Sequence, residues 1–202
     1  MIVAIEGIDG AGKNTLVRAL TERIDARVLA FPRYDCSIHA QLAAKALHGQ
    51  MGDLLDSVHG MATLFALDRF GAKSELVADA GLLLLDRYVA SNAAYSAARL
   101  NDDAVVEWVS ELEFGTLGLP VPDLQVLLDT PVVLAAERAE SRAQQDSTRA
   151  KDAYEVDGGL QSRTADAYRR LASRNWVSEW LIAPHDADAG AVAEVILHRF
   201  GM

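Results

Sequence analysis

Hydrophobic residues in this chain occur in short continuous runs, separated by longer stretches with helical spacing. A strand with one solvated face alternates apolar and polar positions, whereas a strand covered on both faces is apolar throughout. The continuous runs therefore predict buried strands of a parallel sheet. Five such strands are predicted: Ile2–Glu6, Val28–Phe31, Leu82–Asp86, Leu124–Asp129 and Trp180–Ala183.

Stretches of helical length lie between the predicted strands. One follows Gly12, a long one runs from about Asp53 to Asp79, others begin near Ser91, Asp103, Pro131 and Thr148, and the last covers about Asp188–Arg199. Regular alternation of strands and helices predicts an α/β fold with right-handed crossovers. Ligands bind such sheets at the carboxyl ends of the strands, so the residues just after each strand are the first candidates for a site.

The first predicted strand runs into a glycine-rich loop, Gly7-Ile8-Asp9-Gly10-Ala11-Gly12-Lys13-Asn14-Thr15, in the frame G-x-x-x-x-G-K. Glycines let backbone N–H groups turn toward phosphate oxygens, and the following helix N-terminus adds partial positive charge. Lys13 supplies a cation for the β and γ phosphates of a nucleotide. The alternatives are a structural turn with a solvated lysine and a dinucleotide fingerprint, whose order G-x-G-x-x-G differs from this one.

Two features after strand ends suggest a metal and a second anion. The usual hydroxyl residue after the lysine is replaced by Asn14, so we expect Thr15 to contact Mg²⁺, with Asp9 and Asp86 as candidate carboxylate ligands. Asp86 follows four leucines, where P-loop proteins place a metal-side carboxylate. The adjacent Arg87 can bridge two phosphate oxygens. A surface Asp–Arg pair is the alternative.

Two predicted helix faces combine aromatic rings with polar groups. Ser91, Asn92 and Tyr95 share one face at i, i+3 and i+4 spacing, and Phe65 and Arg69 are i,i+4 on another helix. An aromatic plane, a cation, an amide and a phenol suit a planar, hydrogen-bonding base. Alternatively, the two aromatic residues belong to the core and the arginine is solvated.

Arginines recur around a polar break between two helical patterns, Ala143–Thr148. Arg138 and Arg142 share a helix face and Arg149 follows the break, which is typical of a lid that closes over ATP and supplies charge to the transition state. The alternative is an exposed helix pair in which acidic and basic side chains neutralise one another.

Composition and charge limit the classes of partner and the cellular setting that the chain suits. Nineteen Lys and Arg against 29 Asp and Glu give a net charge of −10, which argues against a nucleic-acid-binding face. No apolar run reaches the length of a membrane span, and the first residues lack the basic region of a signal peptide. The single cysteine, Cys36, excludes an internal disulfide, so we expect a cytoplasmic protein.

Together the motifs resemble the thymidylate kinase family over nearly the whole chain. They are the loop Gly7–Thr15, Phe31-Pro32-Arg33-Tyr34, Phe65-Ala66-Leu67-Asp68-Arg69, Asp86-Arg87-Tyr88, Ser91-Asn92-Ala93-Ala94-Tyr95 and Asp152-Ala153-Tyr154-Glu155. The family loop has a variable residue at position 14 and a threonine at position 15. The resemblance implies the P-loop nucleoside monophosphate kinase fold in one domain, with a lid at about 138–154, a homodimer, and the family subtype whose catalytic arginines lie in the lid.

The resemblance also implies roles around the base. Phe65 would stack on thymine, Arg69 would reach a base carbonyl, and Asn92 would meet the ring N–H. Tyr95 would crowd the 2′ position and favour deoxyribose.

The remaining roles concern phosphates and metal. Arg87 and Tyr34 would hold the acceptor phosphate, with Asp9 near it and near the sugar 3′-hydroxyl. The resemblance adds Phe31, Ser91, Asp152 and Tyr154 to the substrate site and Glu155 to the metal site. The expected ATP contacts are Gly7, Asp9, Gly10, Ala11, Gly12, Lys13, Asn14, Thr15 and Arg138. The residues expected to carry catalysis are Lys13, Arg87, Asp9, Arg142 and Arg149.

The expected activity is transfer of the ATP γ-phosphoryl group to dTMP, with Mg²⁺ as the cofactor. The alternatives are a P-loop kinase for another nucleotide or nucleoside, and a regulatory module that binds a nucleotide without transferring phosphate.

Overall fold

A computed structural model of the chain describes residues 1–78, 81–145, 153–156 and 158–201. Five parallel strands form one sheet in the order β2-β3-β1-β4-β5. The strands are β1 (Ile2–Glu6), β2 (Ala26–Ala30), β3 (Leu82–Asp86), β4 (Leu124–Asp129) and β5 (Glu179–Pro184). The predicted α/β fold with a five-stranded parallel sheet is confirmed.

Helices connect the strands. They are α1 (Lys13–Thr21), α2 (Ile38–Leu47), α3 (Val58–Gly71), α4 (Lys73–Leu76), α5 (Val89–Leu100), α6 (Ala104–Ser110), α7 (Val132–Gln145), α8 (Ala153–Val156), α9 (Gly158–Ser173) and α10 (Ala189–Arg199). A 3-10 turn lies at Leu54–Asp56, and a π-helical segment at Glu111–Thr116 follows α6. No helix in the described ranges is long and apolar enough to cross a membrane.

The sheet has an apolar core on each face. Successive residues of β1 point alternately into the two cores. Val3 and Ile5 lie in the core that includes α1 and α10, whereas Ile2 and Ala4 lie in the core that includes α5 and α9. Apolar burial on both faces explains the continuous runs of β1, β3 and β4. The expectation of a buried strand is wrong for β2 and β5, which lie at the two edges of the sheet and are partly exposed. A third, smaller cluster lies between α2 and α3, around Met61.

The predicted long helix over Asp53–Asp79 is wrong as one element. Ser57 has extended backbone angles, and its Oγ accepts a hydrogen bond from the Gly60 N–H at 3.0 Å, so it caps a new helix. Ala72 then leaves helical geometry between α3 and α4. A local capping bond therefore interrupts a pattern that apolar spacing alone reads as continuous.

Two other differences from the prediction occur near the β2 edge of the sheet. β2 begins at Ala26 rather than Val28, because Ala26 and Arg27 also pair with β3 although the arginine breaks the apolar run. Helix α2 was not predicted. Its buried face consists mainly of alanines, whose contrast with polar neighbours is weak. The helix expected near Thr148 lies outside the described residues.

Candidate functional site

The loop between β1 and α1 packs closely against the start of α7. Gly10 has φ +82°, and a Cβ there would lie 2.0 Å from the carbonyl oxygen of Ala135, so only glycine fits. Gly12, at φ +102°, is the N-cap residue of α1. The Thr130 hydroxyl, just after β4, donates to the Ala11 carbonyl at 3.0 Å. These contacts fix the loop at the N-terminus of α1, where backbone N–H groups favour phosphate.

Lys13 folds back over its own loop. Its Nζ donates to the carbonyls of Gly7 at 3.2 Å and Ile8 at 3.1 Å, and the residue is buried. Burial and the nearby Arg87 lower the pKa of Lys13 to about 8, although Asp9 acts in the opposite direction. The amine is therefore a cation at neutral pH and titrates in the mildly alkaline range.

Arg87 lies at the same sheet edge, because β3 pairs directly with β1. Its φ of +65° is rare for a residue with a side chain, and its own N–H donates to the Ile5 carbonyl at 3.0 Å. The guanidinium donates through Nη2 to Asp9 Oδ1 at 2.6 Å and through Nη1 to Ser91 Oγ at 3.2 Å. The strained backbone thus holds a charged fork beside the loop.

Asp9 joins this cluster from the loop side. Burial acts to raise the pKa of its carboxyl, but the charges of Arg87 and Lys13 lower it well below its ordinary value. The Tyr95 hydroxyl donates to Asp9 Oδ2 at 3.0 Å. Asp9 therefore stays ionised at neutral pH and links the loop to the face of α5.

Glu6 supports the cluster from beneath. It is fully buried and accepts hydrogen bonds from the Tyr88 N–H at 2.8 Å, the Ser91 hydroxyl at 2.6 Å and the Tyr168 hydroxyl at 3.0 Å. Burial raises the pKa of Glu6 despite these donors. The sequence pattern does not single out Glu6, Tyr168 or Thr130 as site residues. Only Glu6 stands out in the sequence, as a carboxylate at the end of a buried strand, whereas nothing in the sequence distinguishes Tyr168.

A cavity of about 960 Å³ joins the loop to the predicted base pocket. Phe65 and Arg69 of α3 line it together with Asn92 and Tyr95 of α5, so the two predicted helix faces converge. Phe65 is partly exposed, as an aromatic ring that stacks on a base must be. Arg69, in contrast, is buried and paired with Glu113, a residue that the sequence did not single out.

Aromatic and phenolic groups complete the walls. Phe31 and Tyr34, just after β2, line the cavity on one side. Tyr154 stacks on Tyr95 with ring centroids 5.8 Å apart, and its hydroxyl accepts a hydrogen bond from Arg99 at 2.6 Å. The predicted substrate residues that the structure describes therefore surround one space.

The donor set near the loop fits a magnesium ion that arrives with a nucleotide. Asp86 Oδ1 is buried without a hydrogen-bond partner within the described ranges, and Asp86 and Thr15 line the same cavity. Both oxygens of Asp9 accept hydrogen bonds, so that carboxylate is less available. The described residues contain no cluster of three metal-ligating side chains. Magnesium at nucleotide sites needs only one or two carboxylates beside phosphates and water.

The predicted lid is described in part. Arg138 of α7 lies beside the loop, with Nη1 4.0 Å from where a Cβ on Gly12 would be, and it lines the cavity. The side chains of Arg142 and Glu155 lie outside what the structure describes. The first half of the predicted polar break, residues 143–145, is instead the last part of α7. Its second half, residues 146–148, lies outside the described residues, as do Arg149 and Asp152.

The geometry can be compared with known proteins. The sequence profile of a family described as thymidylate kinase matches residues 5–178. The chain belongs to the thymidylate kinase family. It is 51% identical to a thymidylate kinase of Mycobacterium tuberculosis over 97% of both chains, and 32% identical to one of Akkermansia muciniphila over 94% of this chain and 84% of the other.

Solved structures share the fold at low sequence identity. A thymidylate kinase from Candida albicans has a TM-score of 0.74 at 18% identity, covering 99% of this chain and 90% of that one. A deoxyadenosine kinase from M. mycoides has a TM-score of 0.69 at 15% identity, covering 100% and 99%. The chain is thus a member of the thymidylate kinase family with the fold of deoxynucleotide and deoxynucleoside kinases.

Proposed function

We propose that this protein transfers the γ-phosphoryl group of ATP to the 5′-phosphate of dTMP, giving dTDP and ADP. The observation that carries the proposal is the shared cavity: the phosphate loop, the Arg87 guanidinium and the Phe65–Arg69–Asn92 wall all line it. Two anions can therefore meet at one sheet edge, one on main-chain amides beside Lys13 and the other on Arg87. Membership in the thymidylate kinase family supports the same activity.

The reaction needs alignment and charge neutralisation rather than a general base. The acceptor phosphate is already ionised, so its oxygen attacks the γ-phosphorus, the bond to the β–γ bridging oxygen breaks, and that oxygen leaves with ADP. Lys13 and the loop N–H groups hold the donor phosphates, and Arg87 holds the acceptor. Asp9, itself bound to Arg87, keeps that guanidinium directed toward the loop.

Magnesium is the expected cofactor, held by Asp86 and Thr15, with Asp9 and Glu155 as further candidates. When bound it neutralises charge on the donor phosphates. Among the residues that the structure describes, nothing donates a hydrogen bond to Asp86 Oδ1, so this oxygen is available to a metal ion. The arginines at 138, 142 and 149 would act from the lid at about 138–154 by closing over ATP and excluding water.

The assembly and setting are also proposals. We infer a single kinase domain that forms a homodimer, as the family resemblance implies, and a cytoplasmic setting from the lone cysteine, Cys36. Light scattering of the purified protein tests the dimer: a mass near twice 21.8 kDa is expected, and the mass of a single chain would contradict it.

The decisive experiment measures ADP release with a panel of acceptors. Turnover with dTMP well above that with dCMP or thymidine supports the proposal. Preference for thymidine would indicate a nucleoside kinase, and preference for dCMP a different monophosphate kinase. Tight ATP binding without acceptor-dependent ADP release would indicate a regulatory module instead.

A further inference from the structure

Glu113 lies behind the base wall of the cavity, in the π-helical segment Glu111–Thr116, and is fully buried. Its carboxylate accepts three hydrogen bonds from two cavity-lining side chains. Oε2 accepts from Arg69 Nε at 2.5 Å, and Oε1 accepts from Arg69 Nη2 and from Asn92 Nδ2, both at 2.7 Å. One buried carboxylate therefore holds a residue of α3 and a residue of α5 at once.

These bonds determine which polar atoms Asn92 and Arg69 can offer a ligand. The two N–H bonds of Asn92 Nδ2 go to Glu113 and to the Ala62 carbonyl at 2.9 Å, so the acceptor Oδ1 is the amide group left for the cavity. Arg69 uses Nε and Nη2 on Glu113, so Nη1 is the nitrogen that donates to no described residue and can offer both of its N–H groups to a ligand. The wall thus combines donor groups of Arg69 with the acceptor oxygen of Asn92.

This polarity matches one class of pyrimidine. A 4-oxo pyrimidine carries an acceptor at C4 and an N–H donor at N3, which complement a donor and an acceptor respectively. A 4-amino pyrimidine carries a donor at C4 and an acceptor at N3, so both contacts would be mismatched. A site that leaves buried polar groups unpaired rejects a ligand far more strongly than one that loses only apolar contact.

We propose that Glu113 is a positioning residue that fixes the polarity of Arg69 and Asn92 and thereby sets the preference for 4-oxo over 4-amino pyrimidine nucleotides. The inference rests on the proposed function, since it concerns the acceptor of that reaction. Packing alone does not require this arrangement, because buried ion pairs can often be replaced by apolar residues without loss of stability. A single carboxylate that accepts hydrogen bonds from both Arg69 and Asn92 holds both base-facing side chains in one orientation.

The test is Glu113→Gln, with kcat/KM measured on dTMP, dUMP and dCMP. An amide at position 113 carries a donor as well as an acceptor, so it removes one of the two acceptors that hold the Asn92 amide and leaves only the Ala62 carbonyl. We expect the dTMP/dCMP ratio of kcat/KM to fall by about tenfold or more. The dTMP/dUMP ratio should stay within about threefold, because both bases present the same edge, and the KM for ATP should also stay within about threefold.

A second variant keeps the test decisive if Glu113→Gln does not fold. Glu113→Asp retains the charge but withdraws the carboxylate by about 1.5 Å, the length of one C–C bond. It cannot reach both partners at their present distances, so the dTMP/dCMP ratio should fall here too, by about threefold to tenfold.

Asp68→Asn is the matched control, because Asp68 is also fully buried and accepts from Arg33 Nε at 3.0 Å. It should lower thermal stability while leaving the dTMP/dCMP ratio within about threefold of the parent. If the folded Glu113 variants lose stability and overall turnover but keep the parental ratio, Glu113 is structural only and the inference is overturned. If the parent itself does not convert dTMP, the proposed function fails first.

Discussion

Replacing Arg87 with alanine removes the guanidinium that donates to Asp9, the carboxylate of the phosphate loop. Arg87 Nη2 lies 2.6 Å from Asp9 Oδ1, so its loss removes both the cation proposed to hold the acceptor phosphate and a charge that lowers the pKa of Asp9. Two unit charges about 4 Å apart interact by about 4 kcal/mol at the effective dielectric of protein sites, about 20. That free energy corresponds to a rate factor of about 10³.

The assay is ADP release at saturating ATP with dTMP varied. We expect kcat/KM of Arg87→Ala to fall by about 10³ or more, and Arg87→Lys to recover part of the loss, because an ammonium keeps the charge but not the two-pronged geometry. Arg170→Ala is the matched control: Arg170 pairs with Asp103 through two 2.8 Å bonds at an exposed position, and its loss should leave turnover unchanged. Turnover of Arg87→Ala within threefold of the parent would refute the clamp.

The remaining predictions concern Lys13, Gly10 and Asp86. Because the pKa of Lys13 is about 8, kcat/KM for ATP should fall about tenfold per pH unit above pH 8, and Lys13→Arg should show no such break. The pKa of Lys13 in the folded protein lies below the ordinary value of 10.5, so between about pH 8 and pH 10.5 the unfolded chain binds more protons at this residue than the folded one. The contribution of Lys13 to the free energy of unfolding therefore rises with pH over this range. Gly10→Ala should lower the free energy of unfolding in denaturant titration by about 3 kcal/mol. Gly49→Ala is the control, with an expected loss of about 1 kcal/mol, because φ is also positive there but no atom lies within 4 Å of the added Cβ. Equal losses in the two variants would contradict the close packing of Gly10 against α7. Asp86→Asn should raise the Mg²⁺ concentration for half-maximal turnover at least about tenfold. Asp129→Asn is the control and should leave this concentration unchanged, because Asp129 lies at the end of β4 and pairs with Arg169. An unchanged Mg²⁺ requirement in Asp86→Asn would exclude Asp86 as a ligand.

The sequence predicts the three central strands well because burial on both faces leaves an unambiguous pattern. Three of the five strands, β1, β3 and β4, have the predicted bounds. The errors in the predicted helices arise where a local hydrogen bond sets the helix boundary, or where the buried and exposed faces of a helix differ little in hydrophobicity. The hydrogen bond that Ser57 Oγ accepts from the Gly60 N–H starts a new helix where spacing alone predicts a continuous one, and the alanine-rich face of α2 gives too little contrast to mark a helix.

The site divides along a similar line. Asp86 ends β3, Arg87 follows it, and Lys13 begins α1 at the end of the loop after β1. A parallel sheet brings the carboxyl ends of adjacent strands together, so the proximity of these residues can be deduced. Glu113 and Tyr168 reach the site from helices far along the chain, through contacts that depend on tertiary packing. A glutamate in the sequence Glu111-Leu112-Glu113 has the same appearance whether it is solvated or fully buried.

The two site arginines show why residue type alone does not assign a role. Both pair with a carboxylate, but Arg69 gives two of its nitrogens to Glu113 and retains the third, Nη1, for the cavity, which suits a single carbonyl oxygen. Arg87 gives only one nitrogen to its carboxylate, Asp9, and contacts hydroxyl groups with another, so most of its charge remains available to a phosphate. In a chain of net charge −10, an anionic ligand can bind only where acidic groups are already neutralised. Differences in pairing, rather than the number of arginines, therefore divide the cavity into a base-reading end and a phosphate-holding end.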